Sequence, residues 1–479
     1  MATIVGTSGD DLLYATTDGD VLHGLGGEDA LVGHYDDLVL AGGAGDDDAL
    51  ISLRDESGGA LILEGTVVGG DGNDVLVATI ESGSSGTRAE SHPWLFGGAG
   101  DDSLIATARA EATQETATTN TLSDAVLNGG EGDDVMRAMV ESLGAVGSAT
   151  SDATLHGGKG DDVIVAQAHA GAEGAAAAYT LITGDAGNDL LHAEAAAGGG
   201  DGSIAENTLS GGSGDDRLEA HAAITADGNA SAGNVLNGGD GDDVLSVDAS
   251  AFAGYDTATI DNVLLGGDGS DTFSVDARAS SYTAGGGGNI TTELSGGNGD
   301  DDATVTTYSL QGIVENTLLG GGGDDHLEVT ASGDSYWFGT NVLHGNGGAD
   351  TLSADVIDPD LTDGANGSSS LYGDAGNDRL TVIGGDANLL DGGIGNDTLI
   401  GGDGGDTFVF HPGDNVDRIE NFTVGADRIE LSGFGLGDFA DLSLSAYAGG
   451  TELALASNGL VHIIGVDPGD LSAADFLFT

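Results

Sequence analysis

Aspartate recurs at a fixed distance from paired glycines along most of this chain, and that spacing implies a chemistry. The pattern is Gly-Gly-x-Gly-x-Asp-x-apolar-x, read as GGAGDDDAL from Gly42, GGDGNDVLV from Gly69 and GGAGDDSLI from Gly97. Further copies start at Gly129, Gly157, Gly184, Gly211, Gly238, Gly266, Gly296, Gly320, Gly345, Gly373, Gly392 and Gly401, which makes 15 in all. Glycine reaches positive φ without steric cost, so such a loop can aim its backbone carbonyls inward. The aspartate at the sixth position adds a charged oxygen. Carbonyls plus carboxylates suit a hard cation such as calcium, which takes about 6–8 oxygens. The apolar eighth residue anchors the loop in a core. Asp-Gly turns also form without metal, but acids that return in phase would then stay unneutralised.

Charge points the same way. The 479 residues carry 81 acids against 10 bases, a net charge of −71, and Lys159 is the sole lysine. Such a chain repels itself and resists collapse until cations neutralise it. The balance argues against nucleic acid and anionic membranes as direct partners. There is no cysteine, hence no disulfide and no thiolate metal site. No apolar run approaches the roughly 18 residues of a transmembrane segment. The opening Met1-Ala2-Thr3-Ile4-Val5-Gly6 lacks the basic and apolar regions of a signal peptide, so export would need another route.

The elements that must position these aspartates follow from the repeat length. From Gly42 the motifs are separated by 27, 28, 32, 28, 27, 27, 27, 28, 30, 24, 25, 28, 19 and 9 residues. After the turn at Gly238 comes VLSVDASA, with Leu245, Val247, Ala249 and Ala251 on one side. The chain returns as ATIDNVLL, with Ala258, Ile260, Asn262 and Leu264 on one side. Alternation of period two marks strands with one buried face. Each unit is therefore turn, strand, loop, strand, and stacking the units builds two facing parallel sheets. The fold class is all-β, a parallel β-roll or β-solenoid with a C-terminal β cap. Ala106, Ala108 and Ala110, like Ala166, Ala168 and Ala170, give small buried positions. Alanine propensity leaves a helical reading of these runs open. An Asn-x-Leu-x-Gly element precedes many turns, at Asn207, Asn234, Asn262, Asn316, Asn341 and Asn388, and predicts stacked amides bonded along the array. The expected plan is a tandem nonapeptide start over residues 1–50 and a roll of ~27-residue units over 51–382, followed by tandem nonapeptides over 383–406 and a cap over 407–479. Seven of the 11 phenylalanines fall in that cap: Phe408, Phe410, Phe422, Phe434, Phe439, Phe476 and Phe478.

The nonapeptide resembles the repeats-in-toxin (RTX), hemolysin-type calcium repeat, which forms a calcium-binding β-roll. The tail resembles the C-terminal region of serralysin-type proteases, and the Asp475-Phe476-Leu477-Phe478-Thr479 end is similar to those of type I secretion substrates. The resemblance implies calcium ligands at Asp11, Asp29, Asp47, Asp74, Asp102, Asp134, Asp162, Asp189, Asp216, Asp243, Asp271, Asp301, Asp325, Asp350, Asp378, Asp397 and Asp406. It also implies loop glycines at Gly42, Gly69, Gly97, Gly129, Gly157, Gly211, Gly238, Gly266, Gly296 and Gly320. RTX rolls usually run nonapeptides in tandem, whereas the central units here carry one each, so calcium is expected along one edge only. The implied protein is secreted by type I machinery, extracellular or at the cell surface, and folds on multiple calcium ions.

No enzyme is expected. The sequence has no HExxH and no GxSxG, and Lys159 is followed by Gly160, which excludes a P-loop. The leading expectation is a structural role in a surface layer, matrix or filament. A calcium-dependent adhesin is the alternative, and a polysaccharide-active enzyme stands third. Self-assembly or a cell-surface polysaccharide is the expected partnership. Ser335-Tyr336-Trp337-Phe338 and His92-Pro93-Trp94 are the aromatic spots that could contact a partner or simply pack against the roll.

Overall fold

The computed structural model describes residues 1–55, 61–84, 88–112, 120–144, 146–282, 286–334, 337–357, 367–456 and 459–479. Strands dominate, and the helical pieces among these residues include the single 3-10 turns Phe439–Asp441 and Ala473–Asp475. The chain forms two compact units, residues 1–261 with 281–285, and residues 262–280 with 286–479.

In the first unit the turns that follow the short strands Thr3–Val5, Leu12–Tyr14, Val21–His23 and Ala30–Gly33 share one plan. Strand Arg88–Ala99 runs into a Gly-Asp turn, strand Ser103–Ala112 leaves it, and strand Asn120–Glu131 returns to the first sheet. Every pairing between successive turns is parallel and in register: Leu104 opposes Met136, which opposes Ile164. Alternate residues are buried between the sheets, among them Leu245, Val247, Ala249 and Ala251. The alanine runs are strands, which settles the helical reading against itself. Ala106, Ala108, Ala110, Ala166, Ala168 and Ala170 are all buried, and pairing with turns on both sides satisfies their backbone groups. Propensity is a weak prior that tertiary context overrides.

The second unit repeats the plan. A single buried apolar file runs Leu294, Leu318, Leu343, Leu371, Leu390, Phe408, Ile429 and Phe476, each opposite the next in parallel register. Stacked packing therefore continues past Thr407, where a cap was expected to start. The change comes after Leu431, in the antiparallel meander Ser443–Tyr447, Gly450–Ala454 and Leu460–Ile464. That meander joins the stack through Leu460–Ile464, which pairs parallel with Val416–Glu420. The amide ladder is present in both units: Asn207 donates to Asn234 at 2.8 Å and Asn316 to Asn341 at 2.9 Å.

Candidate metal centre

All the Gly-Asp turns from Gly42 to Gly392 lie where the first sheet passes to the second, so their aspartates stack in a file, while the Gly401 turn lies between Thr398–Ile400 of the second sheet and Thr407–Phe410 of the first. The backbone N–H of each aspartate donates to Oδ1 of the aspartate one turn on. In the first unit this ladder runs through Asp11, Asp29, Asp47, Asp74, Asp102, Asp134, Asp162, Asp189, Asp216 and Asp243, at 2.7–2.8 Å per step. In the second unit it runs through Asp271, Asp301, Asp325, Asp350, Asp378 and Asp397 to Asp417, at 2.8–3.0 Å. Asp406 stands apart from this file. Its N–H donates to Asp427 Oδ1 at 2.9 Å, and its own Oδ1 accepts from the Asn388 amide at 2.8 Å.

The other oxygen of these carboxylates is the telling one. Oδ2 of Asp29, Asp47, Asp74, Asp102, Asp134, Asp162, Asp189 and Asp216 is buried with no hydrogen-bond partner among the described residues. The same holds for Asp301, Asp325, Asp350, Asp378, Asp397 and Asp406. A buried, unsatisfied carboxylate oxygen is costly and calls for an explanation such as an ion. Burial, the largest cause, pushes the carboxyls of Asp74, Asp134, Asp216, Asp325 and Asp378 up to about 7. It takes Asp102, Asp162, Asp189, Asp301 and Asp397 to about 6. Asp11 differs: its Oδ2 accepts from the N–H and hydroxyl of Thr7. Asp11 therefore stands outside the set whose Oδ2 is unpartnered among the described residues.

The glycines make room for that oxygen. A Cβ on Gly69 would lie closer than 3.0 Å to Asp74 Oδ2 and 2.6 Å from the carbonyl oxygen of Gly97 in the next turn. Gly97, Gly129, Gly157, Gly211, Gly266 and Gly296 repeat this pair of clashes, and Gly42, Gly238 and Gly320 meet their own aspartate in the same way. Two oxygens from neighbouring turns thus converge where only a hydrogen sits. The second and fourth glycines have a separate necessity. Gly70 and Gly72 have φ of 133° and 135°, and a Cβ on either would strike a carbonyl of the preceding turn. Among the described residues no three Asp, Glu, His or Cys side chains converge to hold a metal. A cation here would take one carboxylate per turn and complete its shell with main-chain carbonyls, a donor set that fits calcium.

Sequence reasoning missed a second ladder at the fifth motif position. There the N–H of one turn donates to the side chain of the turn before: Asn73 to Asp46 at 2.9 Å, Asp101 to Asn73 at 3.0 Å, Asp133 to Asp101 at 3.0 Å. Its signal was available, because Asp, Asn or Ser fills that position in almost every copy. Asp417 and Asp427 were missed because no glycine motif precedes them. The aromatic spots are mostly packed. His92 is buried against Asp124 and Glu90, and Trp337 is buried while Phe338 is half exposed. Ser335 and Tyr336 lie outside the described residues.

Stacked glycine-aspartate turns joining two parallel sheets define an RTX-type β-roll. The chain belongs to the family described as Peptidase M10 serralysin C terminal, whose model matches residues 5–458. No curated protein matches the chain. Among solved structures, the extracellular lipase LipA from Serratia marcescens is 17% identical over 52% of this chain and 40% of the lipase, with a TM-score of 0.23. The match spans less than half of the lipase, whose activity is its own.

Proposed function

We propose that this chain is a secreted scaffold that folds when calcium fills its glycine-aspartate edge, and that its role is structural, in a surface layer, matrix or filament. The file of buried carboxylates with unpartnered Oδ2 atoms carries this reading. Like charges stacked at successive turns cannot all stay ionised without a counter-cation. Calcium supplies that charge when bound, and the residues that would hold it are the file aspartates from Asp29 to Asp397, with Asp406 on its own. An aspartate such as Asp134 fixes one carboxylate oxygen by hydrogen bonding and leaves the other without a hydrogen-bond partner among the described residues, open to ligate. In the cytosol, where calcium is scarce, the charge of −71 favours an open chain suited to type I export. Outside, where sites of roughly 10⁻⁴–10⁻³ M affinity suffice, binding supplies the folding energy.

The test is size-exclusion chromatography with light scattering, in chelator and in millimolar calcium. The reading expects an expanded monomer that becomes compact with calcium, or large assemblies that chelator reverses. An unchanged, fully folded profile in excess chelator would sink it. A calcium-dependent adhesin is the second reading. Repeat lengths that vary from 24 to 32 residues in the central roll, around a constant Gly-Asp edge, favour it. A compact monomer that binds surface polysaccharide would select it.

A further inference from the structure

The buried aspartates of these turns are of two kinds, and the second motif residue separates them. In the first kind that residue has positive φ even where it is not glycine: Leu25 has φ 88°, Asp185 77°, Asn346 69° and Asp374 68°. The Oδ2 atoms of the corresponding Asp29, Asp189, Asp350 and Asp378 have no partner among the described residues. In the second kind the residue is threonine, outside the left-handed region, and it turns back onto the carboxylate. Thr16 gives Asp20 Oδ2 its N–H and its hydroxyl, each at 2.9 Å, and the Thr17 N–H adds a third bond at 2.9 Å. The N–H of Ala2 and the hydroxyl of Thr17 fill Oδ1. Thr423 N–H reaches Asp427 Oδ2 at 2.7 Å, and Thr7 treats Asp11 likewise.

The first motif position agrees independently. Where Oδ2 is unpartnered it occupies the space of a missing Cβ, so the residue is glycine, as at Gly24, Gly69 and Gly129. Where threonine clamps Asp20 and Asp427 that space is free, and Ala15 and Phe422 carry side chains there, whereas the Asp11 turn keeps Gly6, whose Cβ would lie 2.8 Å from Asp11 Oδ2. A carboxylate has about four lone-pair sites. Five donors on Asp20 use them all and turn their positive ends toward any incoming cation. Asp406 belongs to neither kind, since its second residue, Gly402, is outside the left-handed region and bears no hydroxyl, and its Oδ2 is unpartnered among the described residues.

We infer that threonine at the second motif position makes a turn self-sufficient. The turns closed by Asp11, Asp20 and Asp427 then take no divalent cation, while those with a left-handed second residue require one. The inference rests on the proposed calcium binding and adds which turns are exempt from it. Its test is calcium content per chain, by equilibrium dialysis and elemental analysis, with circular dichroism on the same samples. The full chain is compared with Asp20→Asn, Asp427→Asn and Asp134→Asn. Asp20→Asn and Asp427→Asn should bind as many ions as the parent, and Asp134→Asn at least one fewer. A calcium-loaded parent with loss of an ion in Asp20→Asn or Asp427→Asn overturns this assignment and leaves calcium folding standing. A parent that binds no calcium overturns both. Should Asp20→Asn fail to fold, Asp427→Asn in the other unit decides, with Thr7→Val as a further variant expected to keep the full ion count.

Discussion

Replacing Asp134 separates the two duties of a ladder carboxylate. Its Oδ1 accepts the Asp102 N–H at 2.7 Å, and its Oδ2 is buried without a hydrogen-bond partner among the described residues. Asp134→Asn keeps an acceptor for Asp102 but removes the charge and the free oxygen. At calcium 100-fold above the dissociation constant, one site contributes about 2.7 kcal/mol, so the asparagine variant should lose about that much. Asp134→Ala also strands the buried Asp102 N–H, which costs about 1–3 kcal/mol more. Urea unfolding at fixed free calcium, read by circular dichroism, should rank parent, Asn and Ala in that order. As calcium is lowered toward the dissociation constant the parent-to-Asn gap should close, while the Asn-to-Ala gap persists. Equal loss in both variants would refute the division of labour between the two oxygens. No loss in the asparagine variant would refute ligation.

Glycines should not be equivalent. Gly70→Ala brings its Cβ against the Gly43 carbonyl at φ 133°, whereas Gly202, at φ 78°, has nothing within 4 Å. Gly202→Ala should cost only about 1–2 kcal/mol of left-handed strain, and Gly70→Ala clearly more, as urea midpoints in calcium will tell. Acid should replace calcium in part. Carboxyls raised to about 6 or 7, as in Asp102 and Asp134, stabilise the metal-free fold at low pH, and that stability is lost as pH rises through those values. In chelator, far-UV circular dichroism should therefore report gain of structure on acidification from pH 7 toward 4, and a flat profile would contradict the burial. Asn207→Ala removes the acceptor of the buried Thr180 hydroxyl, bonded at 2.6 Å. It should cost about 1–3 kcal/mol by urea unfolding, and a neutral result would mean the ladder is dispensable there.

Most of the architecture was legible because each turn repeats one local rule. Period-two alternation placed Leu245, Val247, Ala249 and Ala251 in the core, and the glycine spacing placed the aspartates in one file. Three things escaped. The fifth-position ladder hid in a slot read as variable, although a short polar acceptor fills it in almost every copy. Asp417 and Asp427 continue the ladders from sequences with no glycine pair, because only their register with Asp397 and Asp406 matters. Asp11 read like the other motif aspartates because its glycines fit, and the contact of its Oδ2 with Thr7 was not foreseen. A motif reports backbone shape, and that shape is necessary for a cation without being sufficient.

The two ladders run in opposite senses, and this explains how irregular repeats make a regular edge. Asp102 donates forward to Asp134, and Asp133 donates back to Asp101. Each junction is held from both sides, so neither turn can slip without stranding a buried N–H. The step from Asp102 to Asp134 spans 32 residues and that from Asp301 to Asp325 spans 24, yet the forward bonds measure 2.7 Å and 2.9 Å. Insertions must therefore be absorbed on the opposite edge, where among the described residues such bonds link only some of the turns, as from the Asn229 N–H to Asp201 Oδ1. Selection can vary length and chemistry there while the carboxylate file, and any cation it holds, stays in register.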